Sequence, residues 1–334
     1  MNAIFISDQK HNIANVYAPA IMARIWEKTG AQPYIYNKAE ILADPDAFRD
    51  TRFLFSTWGM PVFTQQEIQS VFPKLEAVFY AAGTVQHFAR PFLACGVQVH
   101  SAWIANAVPV AEYTVAQILL ANKGYFGAAQ RMSTGDAAGA KSYAAAYPGN
   151  FDTRVGIVGT GAIGALVCKM LQPYRLQVVA WSRSLTDEKA QGLGVQRAQS
   201  IEEVFATCQV VSNHLANNAH TKGIFREAHF GSMVKNGVFI NTGRGAQVVE
   251  AEMAKVLAQR PDLTAVLDVT SPEPPVADSP LYTLSNCILT PHIAGSAGVE
   301  VQRMAEYMEQ EYDAYIQGKP CAYQVTEAML ETMA

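Results

Sequence analysis

The feature that most constrains the fold is a glycine-rich turn within residues 155–164, Val-Gly-Ile-Val-Gly-Thr-Gly-Ala-Ile-Gly. A run of small β-branched residues leads into Gly159, Gly161 and Gly164, and an apolar segment follows. G-x-G-x-x-G at a strand-to-helix junction suits a dinucleotide pyrophosphate, because the glycines allow a tight turn, close backbone approach and close helix packing. The helix N-terminus offers free N–H groups to the anion. The sequence predicts a dinucleotide-binding α/β domain, and a purely structural glycine turn is the alternative.

Length and composition indicate a globular enzyme of two domains. The chain has 334 residues, of which 50% are hydrophobic and 16% charged, and a chain of this length exceeds one typical core. A net charge of −4 gives no electrostatic reason to expect nucleic-acid binding. Five scattered cysteines without a C-x-x-C pair predict reduced thiols rather than disulfides or a metal site. We expect no leader and no membrane span, and hence a cytoplasmic protein.

Strand-like and helix-like segments alternate along the whole chain, which is typical of an α/β fold. Predicted strands cover 3–6, 34–36, 52–56, 77–81, 176–181, 210–212, 238–241, 264–267 and 288–290. Predicted helices cover 13–28, 105–123, 248–259 and 299–317, and the last is long enough to return to the first unit. The Gly-, Ala- and Ser-rich stretch 133–150 is predicted to be an extended loop.

The residues after the second strand of the cofactor unit bear on which dinucleotide binds. An acidic residue about 20 positions beyond the glycines would accept hydrogen bonds from the ribose hydroxyls of NAD. Ser182, Arg183 and Ser184 stand there instead, without a carboxylate. Because Arg pairs with a ribose 2′-phosphate and hydroxyls hydrogen-bond to it, the sequence predicts NADP. NAD is the alternative, with Arg183 stacked on the adenine or solvated.

Three later segments carry ionisable residues at the ends of predicted strands. Arg244 lies in Asn-Thr-Gly-Arg-Gly, Glu273 in Asp-Val-Thr-Ser-Pro-Glu-Pro, and His292 in Thr-Pro-His-Ile. Arg holds a carboxylate in a two-pronged contact, and His supplies the proton needed when hydride converts a carbonyl to an alkoxide. Glu on the other imidazole nitrogen orients the ring and favours its protonated form. Each residue alone is unspecific, but together they suit hydride transfer to a 2-oxo acid.

With these motifs the sequence resembles the D-isomer-specific 2-hydroxyacid dehydrogenase family over essentially the whole chain. The resemblance implies that Arg244, Glu273 and His292 are catalytic and that Arg244 also grips the substrate. It implies further substrate contacts at Trp58, Gly83 and Thr84, which follow two predicted strands of the first unit. The implied cofactor contacts are Gly159, Gly161, Ala162, Ile163, Gly164, Ser182, Arg183, Ser184, His214, Thr221, Thr242, Gly243, Asp268 and Ala294.

The sequence departs from the family pattern at two places. Ala216 stands where the family usually has Pro, two residues beyond His214, whose backbone is implied to line the cofactor. Gln86 stands where an Asp is usual in the first-domain glycine loop. Asp268 corresponds to a family Asp near the nicotinamide carboxamide. No metal site is predicted.

The resemblance also implies the architecture: two Rossmann-like doubly wound domains with a cleft between them. Residues 1–102 plus 297–334 would form the substrate domain and 103–296 the dinucleotide-binding domain, in a homodimer. The implied reaction is reduction of a small 2-oxo acid, such as glyoxylate or hydroxypyruvate, to the D-2-hydroxy acid. Alternatives are a phosphoglycerate-type dehydrogenase, for which residues 56–60 and 81–86 supply no cations, and a non-enzymatic dinucleotide-sensing corepressor. Formate dehydrogenases share the fold, but formate oxidation needs no proton donor on a carbonyl oxygen.

Overall fold

The computed structural model describes residues 2–30 and 32–331. The chain divides into two compact units, one formed by Met1–Asn106 with Ser296–Ala334 and the other by Ala107–Gly295. The second unit is therefore inserted into the first. The sequence predicts boundaries after residues 102 and 296, and the assignment of the units to substrate and cofactor stays a prediction.

The strands of both units are short and mostly buried. In chain order they are β1 (Ala3–Ile6), β2 (Ile35–Tyr36), β3 (Phe53–Ser56), β4 (Ala77–Tyr80), β5 (Gln98–Ser101), β6 (Arg154–Val158), β7 (Gln177–Trp181), β8 (Gln196–Arg197), β9 (Val210–Asn213), β10 (Val238–Asn241), β11 (Thr264–Leu267), β12 (Cys287–Leu289) and β13 (Gln324–Val325).

The helices connect successive strands. They are α1 (Lys10–Thr29), α2 (Lys38–Ala43), α3 (Gln65–Val71), α4 (Ala89–Ala94), α5 (Trp103–Ala121), α6 (Tyr125–Ser133), α7 (Ala137–Ala145), α8 (Ala162–Leu171), α9 (Asp187–Leu193), α10 (Ile201–Thr207), α11 (Glu227–Ser232), α12 (Glu250–Gln259) and α13 (Gln302–Ile316). Short 3₁₀ turns cover Pro45–Phe48, Gly245–Gln247, Pro280–Tyr282, Gly298–Val301 and Glu327–Glu331.

The first unit is a six-stranded sheet in the order β13-β5-β4-β3-β1-β2, parallel except for β13. Its core is rich in aromatic rings, with Phe55 stacked on Phe79 at 5.3 Å between centroids. Helix α13 returns to this unit and packs on α1, where Glu309 pairs with Arg24 at 2.7 Å and with Lys28 at 2.8 Å. The predicted return of the last helix to the first unit is confirmed.

The second unit is a seven-stranded, fully parallel sheet in the order β12-β11-β10-β9-β6-β7-β8. The strand order reverses at β6, whose neighbours β7 and β9 lie on opposite sides. Ligands of open α/β sheets bind at the carboxyl ends of strands near such a reversal. The predicted fold class, two Rossmann-like doubly wound domains, is confirmed.

The prediction of an extended loop over 133–150 is wrong, because α7 occupies Ala137–Ala145. Asp136 starts this helix by accepting a hydrogen bond from the Gly139 N–H at 2.8 Å, and alanine has the highest helix propensity. The last helix also begins later than predicted, at Gln302, after a 3₁₀ turn. Strands β5, β8 and β13 are absent from the sequence predictions.

Helix α5 is long and apolar enough to cross a membrane by length and composition alone, although half of its apolar window is buried in the structure. It carries one charged residue, Glu112. A buried core helix passes the same test, and the predicted absence of a membrane span stays a prediction. All five cysteines are free, as predicted. Burial raises the pKa of Cys168 to about 12 and also that of Cys287 to about 12.

Candidate active site

The glycine turn lies at the carboxyl end of β6 and leads directly into α8. Gly159 has a φ of +96°, and an added Cβ would lie 2.6 Å from the carbonyl carbon of His214. At Gly164 an added Cβ would lie 1.9 Å from the Gly159 carbonyl oxygen. At Gly161, by contrast, an added Cβ would meet no atom within 4 Å. The turn thus packs tightly at its two ends and is open at its centre.

The open centre of the turn fits an anion. Helix α8 begins at Ala162, followed by Ile163, and its N-cap residue, Gly161, has no side chain that could cap the helix. The first N–H groups of a helix lack partners within it and carry the positive end of the helix dipole. The space at Gly161 would admit a phosphate close to these donors, so the residues present fit a dinucleotide pyrophosphate.

The end of β7 lies beside this turn. Thr160 Oγ1 and Ser182 Oγ are 2.6 Å apart, which joins the turn to the strand end. Arg183 and Ser184 are exposed, and Arg183 forms no hydrogen bond or ion pair with any residue that the structure describes. Ser182 is therefore in contact with the turn, Arg183 and Ser184 follow it along the chain, and no carboxylate stands among the three.

His292 and Glu273 are in direct contact. Nδ1 of His292 lies 2.6 Å from Oε1 of Glu273. Because an ionised carboxylate only accepts hydrogen bonds, Nδ1 carries the proton toward Glu273 and Nε2 is left for a ligand. His292 also has a φ of +54°, a conformation that costs free energy in a residue with a side chain and is found at functional sites.

Asp268 holds the segment that carries His292. Its two carboxylate oxygens accept from the N–H groups of Ile293 at 2.8 Å and Ala294 at 2.9 Å, and Thr290 Oγ1 donates at 2.6 Å. Its backbone carbonyl accepts from the His292 N–H at 2.9 Å. The side chain is buried. Asp268 therefore fixes the unusual backbone of His292, while its predicted place near the nicotinamide stays a prediction.

Arg244 leaves the end of β10 in an exposed position. Its Nη1 donates to the carbonyl of Gly243 at 2.7 Å. The next residue, Gly245, packs so closely on the following strand end that an added Cβ would lie 2.0 Å from the carbonyl carbon of Thr270. This contact makes the Arg244 turn a neighbour of the segment that leads to Glu273. Thr242, also predicted, is buried and lies 3.3 Å from the hydroxyl of Thr114.

His214 and Thr221 lie in the segment that follows β9. The His214 N–H donates to the Val158 carbonyl at 2.7 Å, and its Nε2 lies 2.9 Å from Ser212 Oγ. Burial lowers the pKa of His214 to about 3, so its imidazole is uncharged at neutral pH. Thr221 Oγ1 donates to the Ala216 carbonyl at 2.6 Å and closes the loop.

The predicted substrate residues of the first unit lie in two loops fixed by hydroxyl groups. Ser101 Oγ donates to the carbonyl of Gly83 at 2.6 Å, and the neighbouring Thr84 is exposed. The carbonyl of Trp58 accepts from Ser7 Oγ at 3.2 Å, while its ring is partly exposed. Their roles as substrate contacts stay predictions.

Sequence reasoning missed a cluster of buried amide side chains next to Arg244, formed by Asn213, Asn241 and Gln247. Asn213 Nδ2 donates to Asn241 Oδ1 at 2.9 Å and to Gln247 Oε1 at 2.6 Å. The available signal was the occurrence of amides at the ends of two strands that are otherwise apolar, Val210–Asn213 and Val238–Asn241.

A second group of polar side chains lies in the first unit, where His100, Glu311 and Cys321 place metal-ligand atoms within 4.8 Å of one another. His100 Nδ1 lies 2.8 Å from Glu311, and the same carboxylate accepts from the N–H groups of Ala322 at 2.8 Å and Tyr323 at 3.2 Å. These bonds occupy the carboxylate and attach the segment leading to β13.

Comparison with known proteins identifies the family. The family model described as "D-isomer specific 2-hydroxyacid dehydrogenase, NAD binding domain" matches residues 115–294, more than half of the chain. The chain belongs to this family. The match begins within α5 and ends at Ala294, so it includes the glycine turn, Arg244, Glu273 and His292.

Curated relatives of this family member align over part of their length. Glyoxylate reductase of Aeropyrum pernix is 31% identical over 165 residues, covering 49% of this chain and 49% of that protein. Formate dehydrogenase of Chaetomium thermophilum is 28% identical over 234 residues, covering 67% of this chain and 62% of that protein. The alignments thus span about half to three-fifths of these relatives.

Solved structures have the same fold over nearly the whole chain. Apo D-mandelate dehydrogenase of Rhodotorula graminis has a TM-score of 0.79 at 18% identity, covering 97% of both chains. A D-isomer specific 2-hydroxyacid dehydrogenase of Lactobacillus delbrueckii ssp. bulgaricus, in its NAD complex, has a TM-score of 0.78 at 17% identity, covering 97% of this chain and 100% of that one. At these identities the likeness shows the fold.

Proposed function

We propose that this protein reduces a small 2-oxo acid, of the size of glyoxylate or hydroxypyruvate, to the D-2-hydroxy acid with NADPH. The observation that carries the proposal is the 2.6 Å contact between His292 Nδ1 and Glu273 Oε1. The contact lies at the same edge of the parallel sheet as the glycine turn and Arg244. A proton donor, a carboxylate partner and a cation beside a dinucleotide-binding turn are the groups that carbonyl reduction requires.

The cofactor site is proposed at the turn of Gly159, Gly161 and Gly164. Its open centre and the uncapped start of α8 support binding of the pyrophosphate. When bound, the reduced nicotinamide supplies the hydride that the carbonyl carbon accepts.

The residues of the chain supply the rest of the reaction. Arg244 binds the substrate carboxylate through its guanidinium. His292 holds a proton on Nε2 and transfers it to the carbonyl oxygen as the carbon–oxygen double bond becomes a single bond. Glu273 keeps the ring oriented through Nδ1 and stabilises the positive charge of the imidazolium before transfer. One hydride and one proton are consumed for each hydroxyl group formed.

We propose NADPH over NADH because of the groups at the end of β7. Ser182 and Thr160 present hydroxyls 2.6 Å apart, and the exposed Arg183 lies next along the chain. Residues 182–184 carry no carboxylate that would repel a 2′-phosphate. Measurement of kcat/KM with NADPH and with NADH tests this choice, and a clear preference for NADH would contradict it.

The proposed activity is tested by following NADPH oxidation in the presence of a panel of 2-oxo acids. The panel should contain glyoxylate, hydroxypyruvate, pyruvate and phosphohydroxypyruvate. We expect turnover with one or more of the unphosphorylated acids. Turnover with the phosphorylated acid alone would favour the phosphoglycerate-type dehydrogenase, and NADPH binding without turnover on any acid would favour the sensing corepressor.

A further inference from the structure

The amide cluster Asn213, Asn241 and Gln247 has a specific geometry around Arg244. All three side chains are fully buried, and they come from the end of β9, the end of β10 and the 3₁₀ turn Gly245–Gln247. Buried amide groups keep hydrogen-bond partners because their loss is costly. The hydrogen bonds that these amides make to backbone groups therefore constrain the backbone around Arg244.

Gln247 is the member that connects two separate segments. Its Oε1 accepts from the backbone N–H of Arg244 at 3.1 Å. Its Nε2 donates to the carbonyls of Leu215 at 2.8 Å and Ala216 at 3.1 Å. One side chain thus spans from the Arg244 turn to the segment that follows His214.

The other two amides complete the attachment. Asn241 Nδ2 donates to the Arg244 carbonyl at 3.3 Å, and Asn213 Oδ1 accepts from the Leu215 N–H at 3.1 Å. The turn has no free space on this side, since a Cβ added to Gly243 would lie 2.7 Å from Asn213 Nδ2 and 2.8 Å from Gln247 Oε1. Both the N–H and the carbonyl of Arg244 are therefore held by the cluster.

We infer that Gln247 is a positioning residue that fixes Arg244 relative to the Leu215–Ala216 segment, and so sets where the guanidinium meets the substrate carboxylate. The inference rests on the proposed function in one respect, the role of Arg244 as the carboxylate-binding group. Gln247 itself touches no reacting atom. Its effect on the reaction passes through the backbone of Arg244, and that dependence distinguishes it from a residue that only stabilises the fold.

The test replaces Gln247 by Met, which has a similar length but makes no strong hydrogen bonds. With glyoxylate and NADPH we expect KM for glyoxylate to rise by about tenfold, because displacement of a substrate-holding group weakens binding, while kcat changes less. In an Arg244→Lys background, the same substitution should change KM by less than about twofold, because coupled residues are not additive.

The matched control is Asn286→Leu. Asn286 is a buried amide of the same unit that donates to the carbonyls of Leu257 at 3.0 Å and Leu263 at 2.9 Å, away from Arg244. We expect this variant to lower Tm without changing KM for glyoxylate. An equal rise in KM in the control, or an undiminished effect of Gln247→Met in the Arg244→Lys background, would overturn the inference.

Hydrogen–deuterium exchange gives a readout that does not depend on turnover. Gln247→Met should speed exchange in the peptides that contain Arg244 and Leu215, and Asn286→Leu should not. If the wild-type protein reduces no 2-oxo acid, the proposed function fails, and the exchange comparison still decides whether Gln247 orders both segments. Unchanged exchange at both would overturn the inference.

A second variant covers the case in which Gln247→Met does not fold. Gln247→Glu keeps the oxygen that accepts from the Arg244 N–H and loses the donors to Leu215 and Ala216. Because this breaks the link between the Arg244 turn and the Leu215–Ala216 segment, we expect faster exchange at the Leu215 segment and a rise in KM for glyoxylate of about threefold or more. Faster exchange only in the peptide that contains Arg244 would contradict the inference that Gln247 links the two segments.

Discussion

Nδ1 of His292 lies 2.6 Å from Oε1 of Glu273, although the two residues belong to separate loops that follow β12 and β11. The contact engages Nδ1, so Nε2 is the imidazole nitrogen available to a ligand. Asp268 holds the same loop through three backbone N–H groups, two bonded to its carboxylate and that of His292 bonded to its backbone carbonyl. His292, the proposed proton donor, is therefore oriented by the Glu273 carboxylate at Nδ1, and the buried Asp268 holds its loop.

Glu273→Gln should lower kcat for reduction of glyoxylate. The amide oxygen still accepts from Nδ1, so the ring stays oriented, but the negative charge that stabilises the imidazolium is lost. We expect a fall of about 10²-fold, in the range of general acid–base contributions, with NADPH affinity unchanged. Steady-state kinetics and a fluorescence titration with NADPH measure the two quantities. A variant with wild-type kcat would remove Glu273 from the mechanism.

Asp268→Asn should destabilise the His292 loop. The amide presents only one oxygen to the N–H groups of Ile293 and Ala294, and its NH₂ opposes the other donor. Since hydrogen bonds to charged groups contribute about 1.5–3 kcal/mol each, we expect the free energy of unfolding to fall by about 2 kcal/mol and kcat to fall as well. Thr290→Val, which removes one hydroxyl donor, is the milder control. Urea unfolding of both variants measures the difference.

Gly161→Ala should weaken cofactor binding without affecting stability. The added Cβ enters open space, and the φ of −71° at Gly161 suits alanine, but a phosphate could no longer approach the backbone. We expect Kd for NADPH to rise by about tenfold or more at an unchanged Tm. Gly192→Ala, where a Cβ also meets no atom, should leave Kd unchanged. Equal Kd values in both variants would place the pyrophosphate elsewhere.

Acid should destabilise the fold through His214. Burial lowers the pKa of His214 to about 3 from its ordinary value of about 6.5. Below about pH 6.5 His214 binds a proton in the unfolded chain but not in the folded chain. The free energy of unfolding therefore decreases as the pH decreases, by up to about 1.4 kcal/mol per pH unit. Thermal unfolding of the wild type and of His214→Leu, measured from pH 7 down to about pH 4.5, tests this prediction. The variant should show the shallower slope, and equal slopes would contradict the prediction.

The sequence predicted the features that depend on local spacing. The glycine turn, the strand ends at Arg244, Glu273 and His292, and the strand–helix alternation all follow from residues close in the chain. Arg244, Glu273 and His292 could be expected at one edge of the sheet, because parallel strands end at the same edge.

Long-range pairing was not predictable in the same way. Gln247 forms a hydrogen bond to Leu215, 32 residues away, and the local sequence of neither segment predicts this pairing. Strand β5 was missed because His100 is buried in it through a contact with Glu311, 211 residues away. The helix α7 was missed because glycine and serine obscured an alanine-rich segment with an aspartate cap.

We propose His292 as the proton donor for reduction of a 2-oxo acid. The most direct measurement compares wild type and His292→Gln for NADPH oxidation with glyoxylate, together with NADPH affinity by fluorescence titration. We expect the variant to lose about 10³-fold or more in kcat and to keep its affinity for NADPH. Turnover by the variant at the wild-type rate would show that His292 is not the proton donor.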